Sequence, residues 1–540
     1  MKFRYISLLV VLIALAVSSC KEKEEVFEDP YQGGVEPLGI LVNRAQIPVP
    51  SAGQAGTEVR IAATGLQRHY DAKKLSFLFN GETAEIMNVD EKGITVKVPG
   101  RASSGVTAFV VDGQLVFGPD FKVFGLVNRD FTYKVVNGAN AAIWKAVILP
   151  TGNTILLGDF TNFDNKGVVK PIRRIVRTLP DGTIDRTYQS GEGANGMLNS
   201  YAIVGSSHFI GGQFSGYAQR DGLNNIAKIS ASGVIDTMEV RTYTEASKFV
   251  ATFNGGVDGA VRYLYPSQGN KLIATGDFRY YLSRRYDQPT SKYKDSVVID
   301  SVDVRQIARF NMDGSLDRTY RFDPEAIGYG GLKGKSLPGG TGRLFSLQHT
   351  DEKLLCYGQF TKFDDVPVGY IVRLNADGTI DNTFNVNGVG ADYYINHVSY
   401  NAVTNKYLVV GLFKTFNGVS SPNMVLLNYD GSVDQSFKPL VFNGGFPYFA
   451  KQLDDGLALI SGDFKTYDGV SRQGFLFVDK TGNMAPGYNT IGNLLGSVNR
   501  ISDAVETTSA DGRRALLVVG QFYTFDNVPT NNIVRVTLEL

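Results

Sequence analysis

Cysteine is nearly absent from this chain of 540 residues. Only Cys20 and Cys356 occur, so no disulfide framework holds the fold and stability has to come from packing. Histidine is scarce as well: His69, His208, His349 and His397 are far apart and show no metal-ligand spacing. Charge of one sign is missing too. The chain has 54 Lys and Arg against 53 Asp and Glu, which leaves no global basic field to attract nucleic acid. Beyond the first twenty residues no segment is apolar enough to cross a membrane as a helix. A nucleophile elbow, a metal-spaced His pair and a phosphate-cradling glycine loop are all lacking. Carboxylate pairs drawn from distant strands stay open, because no sequence spacing marks them.

What the chain has is glycine (60 residues) and aromatic side chains, with 27 Tyr and 33 Phe but a single Trp. That mix suits many short strands joined by tight turns, and the length asks for at least two domains. The opening "MKFRYISLLVVLIALAVSSC" places Lys2 and Arg4 before an apolar run from Ile6 to Val17. The run is too short to span a bilayer core of roughly 30 Å and fits the apolar region of a signal peptide. Its ending "VSSC" resembles a bacterial lipobox, which implies that Cys20 carries lipid and becomes the first mature residue, with residues 1–20 as the signal. An ordinary signal peptide with an incidental Cys20 is the alternative. The acidic stretch "KEKEEVFEDP" then opens a solvated tether, residues 21–37. It resembles the surface-export signal of Bacteroidota lipoproteins, implying an outer-membrane protein anchored in the lipid bilayer and facing the exterior.

Residues 38–125 alternate with period two, as in "GTEVRI" and "ITVKVP", and Gly and Pro punctuate the ends. The stretches "GTEVRI", "FNGETAEI" and "ITVKVPGRASSG" resemble an IPT/TIG domain, an immunoglobulin-like β-sandwich, which implies a spacer or support without chemistry of its own. His69 falls in a polar loop there.

From residue 126 to 540 the chain repeats itself. The motif Gly, variable residue, Phe occurs at Gly158, Gly212, Gly276, Gly358, Gly411, Gly462 and Gly520, each after an apolar run and each followed by a second aromatic: Phe163, Tyr217, Tyr281, Phe363, Phe416, Tyr467 and Phe525. A full unit reads as four strands, typified by "INHVSY", "KYLVVGLF", "YIVRLN" and, after an Asp-Gly turn, "GTIDNTF". Seven such units predict a seven-bladed β-propeller, and with the preceding module an all-β chain. The seventh unit stops at its third strand, "NNIVRVTLEL". The missing piece lies ahead of the first unit, where Asp130, Phe131, Thr132 and Tyr133 match Asp185 to Tyr188 and Asp317 to Tyr320. This segment is expected to supply the outer strand of the last blade and so close the ring. The stretches "GDFTNF", "GQFTKF" and "LNADGTIDNTF" resemble the bacterial delta-60 β-propeller repeat, although "DKTGNMAPGY" and "ASGVIDTMEV" depart from it.

Residues shared by all units read as architecture. The Asp-Gly pairs at Asp181, Asp313, Asp377 and Asp430 suit turns with positive φ, and the recurring aromatics fill space between blades. A calcium cage on the Asp181 and Asp185 spacing does not match a known oxygen-ligand loop, and no cofactor is expected. Function is sought where units differ. All large insertions fall in the connections between second and third strands and between units, which emerge on one face. The connections between units bring Trp144, Tyr329, Tyr393, Tyr394, Phe446 and Tyr448 to the central mouth, where rings can stack on a sugar; plugging the channel is the alternative role. Arg284, Arg285, Lys292 and Lys294 in the third unit would meet an anionic polymer or simply solvate a loop.

The sequence therefore predicts a non-enzymatic surface lipoprotein. It resembles accessory lipoproteins of Bacteroidota, which implies capture of a glycan or other nutrient for an outer-membrane import complex. A protein–protein scaffold or adhesin using the same face is the second reading, and a carbohydrate-active enzyme the third. Metabolic labelling with an alkyne fatty acid is expected to tag the wild-type chain and to leave Cys20→Ala unlabelled; equal labelling of both removes the lipid-anchor expectation.

Overall fold

The computed structural model describes residues 37–286, 290–293, 297–328, 331–496 and 500–539. Cys20, Tyr329 and Lys294 lie outside these residues.

Residues 37–125 form a seven-stranded sheet plus one short helix, Gln67–Asp71. Strand Glu82–Asp90 pairs through its first residues with Leu75–Phe79 and through its later ones with Gly93–Lys97, so the sheet turns a corner along this strand. Alternation puts Val59, Ile61, Phe77, Phe79, Ile94, Val96, Phe109 and Phe121 into one buried cluster. Phe77 packs edge-on against both Phe79 and Phe109, with ring centroids 5.3 and 5.0 Å apart.

The rest of the chain is a β-propeller. Among the described residues, seven antiparallel sheets follow one another, each built on an innermost, a middle and a third strand. The innermost strands are Ile143–Ile148, Met197–Val204, Ala260–Ser267, Leu344–Gln348, Ile395–Asn401, Pro447–Gln452 and Arg500–Thr508. The middle strands are apolar on both faces, as "TILLG" and "KYLVVG" show, because each sheet is covered by a neighbour on either side. Apolar clusters fill every junction between consecutive sheets, including the one where Leu517, Val519 and Ile533 of the seventh meet Ile143, Phe160 and Val176 of the first. The recurring second aromatic of each repeat is buried in these clusters.

The expected fourth strand is much reduced. After each Asp-Gly turn the chain makes one isolated bridge, such as Thr178 with Ile184 or Leu374 with Ile380, and then leaves the ladder. In most units an Asp follows the bridge and its side chain holds a local turn. Asp185 Oδ1 accepts from the Thr187 amide at 2.9 Å and the Thr187 hydroxyl at 2.7 Å, and this local turn replaces ladder pairing. Asp317 and Asp381 do the same with Thr319 and Thr383. In the preceding turn, Gly182 adopts φ +87° and a Cβ there would sit 2.6 Å from Tyr133, so glycine is required twice over.

The second oxygen of each Asp takes an arginine from the third strand: Arg177 to Asp185 at 2.8 Å, Arg309 to Asp317 at 2.7 Å and Arg373 to Asp381 at 2.7 Å. Each guanidinium also lies over the following aromatic, Tyr188, Tyr320 or Phe384. In the seventh sheet the arginine is Arg535 and the partner is Asp130, at 2.6 Å, with Tyr133 under the guanidinium. Strand Asn128–Arg129 pairs antiparallel with Ile533–Thr537, and the Asp130 amide donates to the Arg535 carbonyl at 2.9 Å. The segment before the first sheet thus completes the last.

The N-terminal unit rests on the long-loop face of the sixth and seventh sheets. The Ser104 amide and hydroxyl both donate to the Thr490 carbonyl, Arg472 donates to the Arg101 carbonyl at 2.8 Å, and Arg101 pairs with Asp468 at 3.1 Å. Lys122 pairs with Asp526.

The side chains of Arg535 and Asp130 are 5% and 0% exposed. Removing one partner of a buried ion pair costs about 3–5 kcal/mol, whereas a more exposed pair is worth about 1 kcal/mol or less. Asp130→Ala is therefore expected to lower the midpoint of thermal unfolding well beyond Glu325→Ala, which removes the 79%-exposed partner of Lys333. Equal midpoints in calorimetry would show that the closing pair carries no special weight.

Candidate functional site

Every Gly-X-Phe glycine lies against the carbonyl of the residue just before the innermost strand's ladder or at its first step. A Cβ at Gly158, Gly212, Gly276, Gly358, Gly411, Gly462 or Gly520 would come 2.0 to 2.4 Å from the oxygen of Ala142, Met197, Ala260, Arg343, Tyr394, Phe446 or Arg500. This close approach accompanies a break in register. In six of the seven innermost strands one residue is left over between ladder partners: Trp144, Asn199, Arg262, Asn396, Tyr448 and Ser502. The fourth sheet is regular there and presents Phe345. A bulge re-aims the extra side chain, and here all six, with Phe345, line one cavity of about 290 Å³ where the innermost strands begin.

The variable residue of Gly-X-Phe decides how the bulged side chain is held. In the three copies that read Gly-Asp-Phe, the Asp takes a hydrogen bond from the bulged residue 15 positions earlier. Trp144 Nε1 donates to Asp159 at 3.0 Å, Arg262 to Asp277, and the Tyr448 hydroxyl to Asp463 at 3.2 Å. The next residue along three of the innermost strands ties neighbouring sheets together. Asp503 accepts from the Ala146 amide at 3.2 Å, Ser200 Oγ from Leu264 at 2.7 Å, and His397 Nδ1 from Ala450 at 3.4 Å. Each of these amides belongs to an innermost strand, an edge of its sheet with no ladder partner on that side, and the side chains satisfy them.

Charge in the cavity is mixed. Lys145 pairs with Asp503 at 2.9 Å; burial pulls its pKa down, but Asp503 outweighs this and raises it. His397 is pushed down to about 4 by burial first and by Arg500 second, in keeping with a neutral ring that accepts at Nδ1. Burial raises the Tyr263 hydroxyl. Asn199 Oδ1, Arg262 Nε and Ser502 Oγ are buried and have no hydrogen-bond partner in the protein.

Of the aromatics singled out from sequence, Trp144 and Tyr448 line this cavity. Tyr393 and Tyr394 do not. They stack on each other at 4.2 Å, Tyr394 meets Tyr370 edge-on at 5.7 Å, and the group stands just before the bulged Asn396. Phe446 is exposed, two residues ahead of Tyr448, and its amide donates to Asp463 at 2.7 Å. Arg284 is committed to the carbonyls of Gly222 and Asn254 in two other connections, and Arg285 pairs with Asp300 within the insertion. Sequence reading missed Lys145, Asn199, Arg262, Tyr263, Asn396, Arg500, Ser502 and Asp503. A signal was available for part of the set: a donor side chain 15 residues ahead of each Gly-Asp-Phe aspartate. The other positions depend on the bulge, which period-two patterning does not encode.

Two family models match parts of the chain. One, described as a domain of unknown function, DUF5008, covers residues 16–119; the other, described as a domain of unknown function, DUF5122 beta-propeller, covers residues 295–320, 350–384 and 404–437. No curated protein matches. Among solved structures, the chain is similar to the WD40 beta-propeller domain of Doa1, at 11% identity and a TM-score of 0.39 over 76% of this chain and 96% of that one. It is also similar to an auxiliary nutrient binding protein from Bacteroides ovatus, at 10% identity and 0.31 over 92% and 99%. A protein of unknown function from Bacteroides thetaiotaomicron aligns at 11% identity and 0.30 over 92% and 98%.

A histidine that binds its proton more weakly when folded destabilises the fold as pH falls below its ordinary value. His397, and His349, which burial likewise holds at about 4, are expected to make stability decline between about pH 6.5 and pH 4. The carboxylates of Asp317 and Asp381 act lower. Burial alone would raise them, but hydrogen bonds from Thr319 with Lys271 and from Thr383 with Lys353 hold both below the usual range, so their contribution is lost only as pH drops beneath about 4. Thermal midpoints across this range should fall less steeply above pH 4 for His397→Gln than for wild type; identical slopes would rule the histidine out.

Proposed function

We propose that this protein is a non-catalytic ligand-binding lipoprotein of the bacterial cell surface, anchored through Cys20, with an immunoglobulin-like sandwich as spacer and a seven-bladed propeller as binding head. Its ligand sits in the central cavity, and a glycan is the class that fits best. In this reading the anchored head captures the glycan for an outer-membrane import complex. The observation that carries it is the convergence of six bulged side chains on one cavity, among them polar atoms of Asn199, Arg262 and Ser502 with no partner in the protein. Trp144 and Tyr448 offer ring faces for the apolar side of a sugar, while amide, hydroxyl and guanidinium groups bond its hydroxyls. Each nearby carboxylate is already engaged: Asp159 by Trp144, Asp277 by Arg262, Asp463 by Tyr448 and Asp503 by Lys145. That favours binding over acid–base cleavage, which needs a carboxylate able to exchange its proton.

Trp144 is the chain's only tryptophan, so its fluorescence reports on the cavity directly. Titrating the full chain with a panel of oligosaccharides is expected to change this emission for at least one of them. Trp144→Ala should then weaken that ligand by about tenfold or more in calorimetry, roughly 1.4 kcal/mol. If no glycan binds and affinity capture instead returns a stable outer-membrane partner, the scaffold reading replaces this one.

A further inference from the structure

The cavity contains one cation without a counter-charge. Lys145 is paired with Asp503 and Arg262 with Asp277, but the guanidinium of Arg500 has no ion-pair or hydrogen-bond partner among the described residues, although it lines the same cavity. The groups acting most on it are Tyr263, Tyr448, Arg262 and Tyr357, none of them a carboxylate. Arg500 is exposed at the open side of the cavity, and the partial desolvation it meets there, helped by Arg262 and opposed by Tyr263, Tyr448 and Tyr357, pulls its pKa below the ordinary guanidinium value.

Further donors point the same way. Arg262 Nε and the Ser502 hydroxyl are buried and unpartnered beside Arg500 in the lining. Arg262 is held in place by Asp277 and by the face of Phe345, 5.0 Å from its guanidinium carbon, which leaves Nε fixed. A guanidinium presents parallel N–H donors that match the two oxygens of a carboxylate or of a sulfate ester. A neutral sugar would leave the charge of Arg500 unmatched.

We propose that the ligand of this cavity carries an oxyanion substituent, a carboxylate or sulfate on a saccharide, bound by Arg500 together with Arg262 Nε and the Ser502 hydroxyl. This rests on the cavity-binding reading above and narrows it to acidic glycans.

The test uses the full chain in detergent and three probes: tetragalacturonate for carboxylate, a sulfated carrageenan tetrasaccharide for sulfate, and cellotetraose as the neutral control. Trp144 emission and calorimetry are read in parallel. At least one acidic probe is expected to bind tighter than cellotetraose and to weaken as salt is raised. Arg500→Gln should reduce that affinity at least tenfold, and Arg500→Lys should restore part of it; thermal midpoints equal to wild type show that both variants are folded. Which acidic probe binds decides between carboxylate and sulfate. Binding of cellotetraose without either acidic probe, or acidic binding indifferent to Arg500→Gln, overturns this inference and leaves the cavity reading standing. Silence from all three probes, across a wider neutral panel as well, overturns both.

Discussion

The ring leans on a contact made at four of its seven sheets, between an aspartate that opens the crossing and an arginine on the strand before it. One carboxylate oxygen turns the backbone through the following threonine, and the other grips the arginine, which also lies on the next aromatic ring. The chain thereby leaves one sheet at a fixed point and a fixed angle. Buried ion pairs add little net stability over well-packed apolar replacements, and their value lies in register and in the cost of breaking them. A closed ring tolerates no accumulated error, so register at each handover matters more than strength. Asp130 and Arg535 apply the same device between segments 405 residues apart, and the last sheet becomes equivalent to the others.

Architecture and binding site use one feature of the backbone. The glycine of each Gly-X-Phe motif lets the innermost strand come within 2.0 to 2.4 Å of a Cβ that is not there. In six sheets the ladder slips at that place, and the residue left over turns into the cavity. The following residue supplies a polar side chain to the neighbouring sheet at three junctions. Those six positions can therefore change identity without disturbing the ladder, which is why Trp, Asn, Arg, Asn, Tyr and Ser share equivalent places. The fourth sheet shows the limit: it keeps its ladder, and Gly358 takes φ +145° instead.

The all-β character, the propeller and the pairing of residues near Asp130 with the final strand are legible in the sequence, because each depends on local repetition: apolar runs, Asp-Gly turns and a copied Asp-x-Thr-aromatic segment. The fourth strand of each unit was not. Its residues have strand-like composition, but the chain turns away after one bridge, held in most units by an aspartate side chain and in the sixth by the backbone at Ala485. The site was legible in part. Trp144 and Tyr448 stand out as aromatics in connections between units, whereas Arg262 and Arg500 look like ordinary polar positions of an amphipathic strand. Only the slipped register separates Arg262 from residues such as Arg373, which is equally charged yet buried as a structural partner, and Arg500 reaches the cavity from an ordinary ladder position. Tyr393 and Tyr394 satisfied the same aromatic criterion as Trp144 and stack beside the cavity rather than in it.

The seam has a consequence for how the molecule comes into being. Asp130 is synthesised 405 residues before Arg535. At the usual pace of translation, about 5–20 residues per second, the interval is roughly 20–80 s. Until Arg535 follows, the hydrogen-bonding edge that Asn128–Arg129 offers to the last sheet has no partner strand, and the sheets before it amount to an unfinished arc. Nothing short of strand Ile533–Thr537 can lock that arc into a circle.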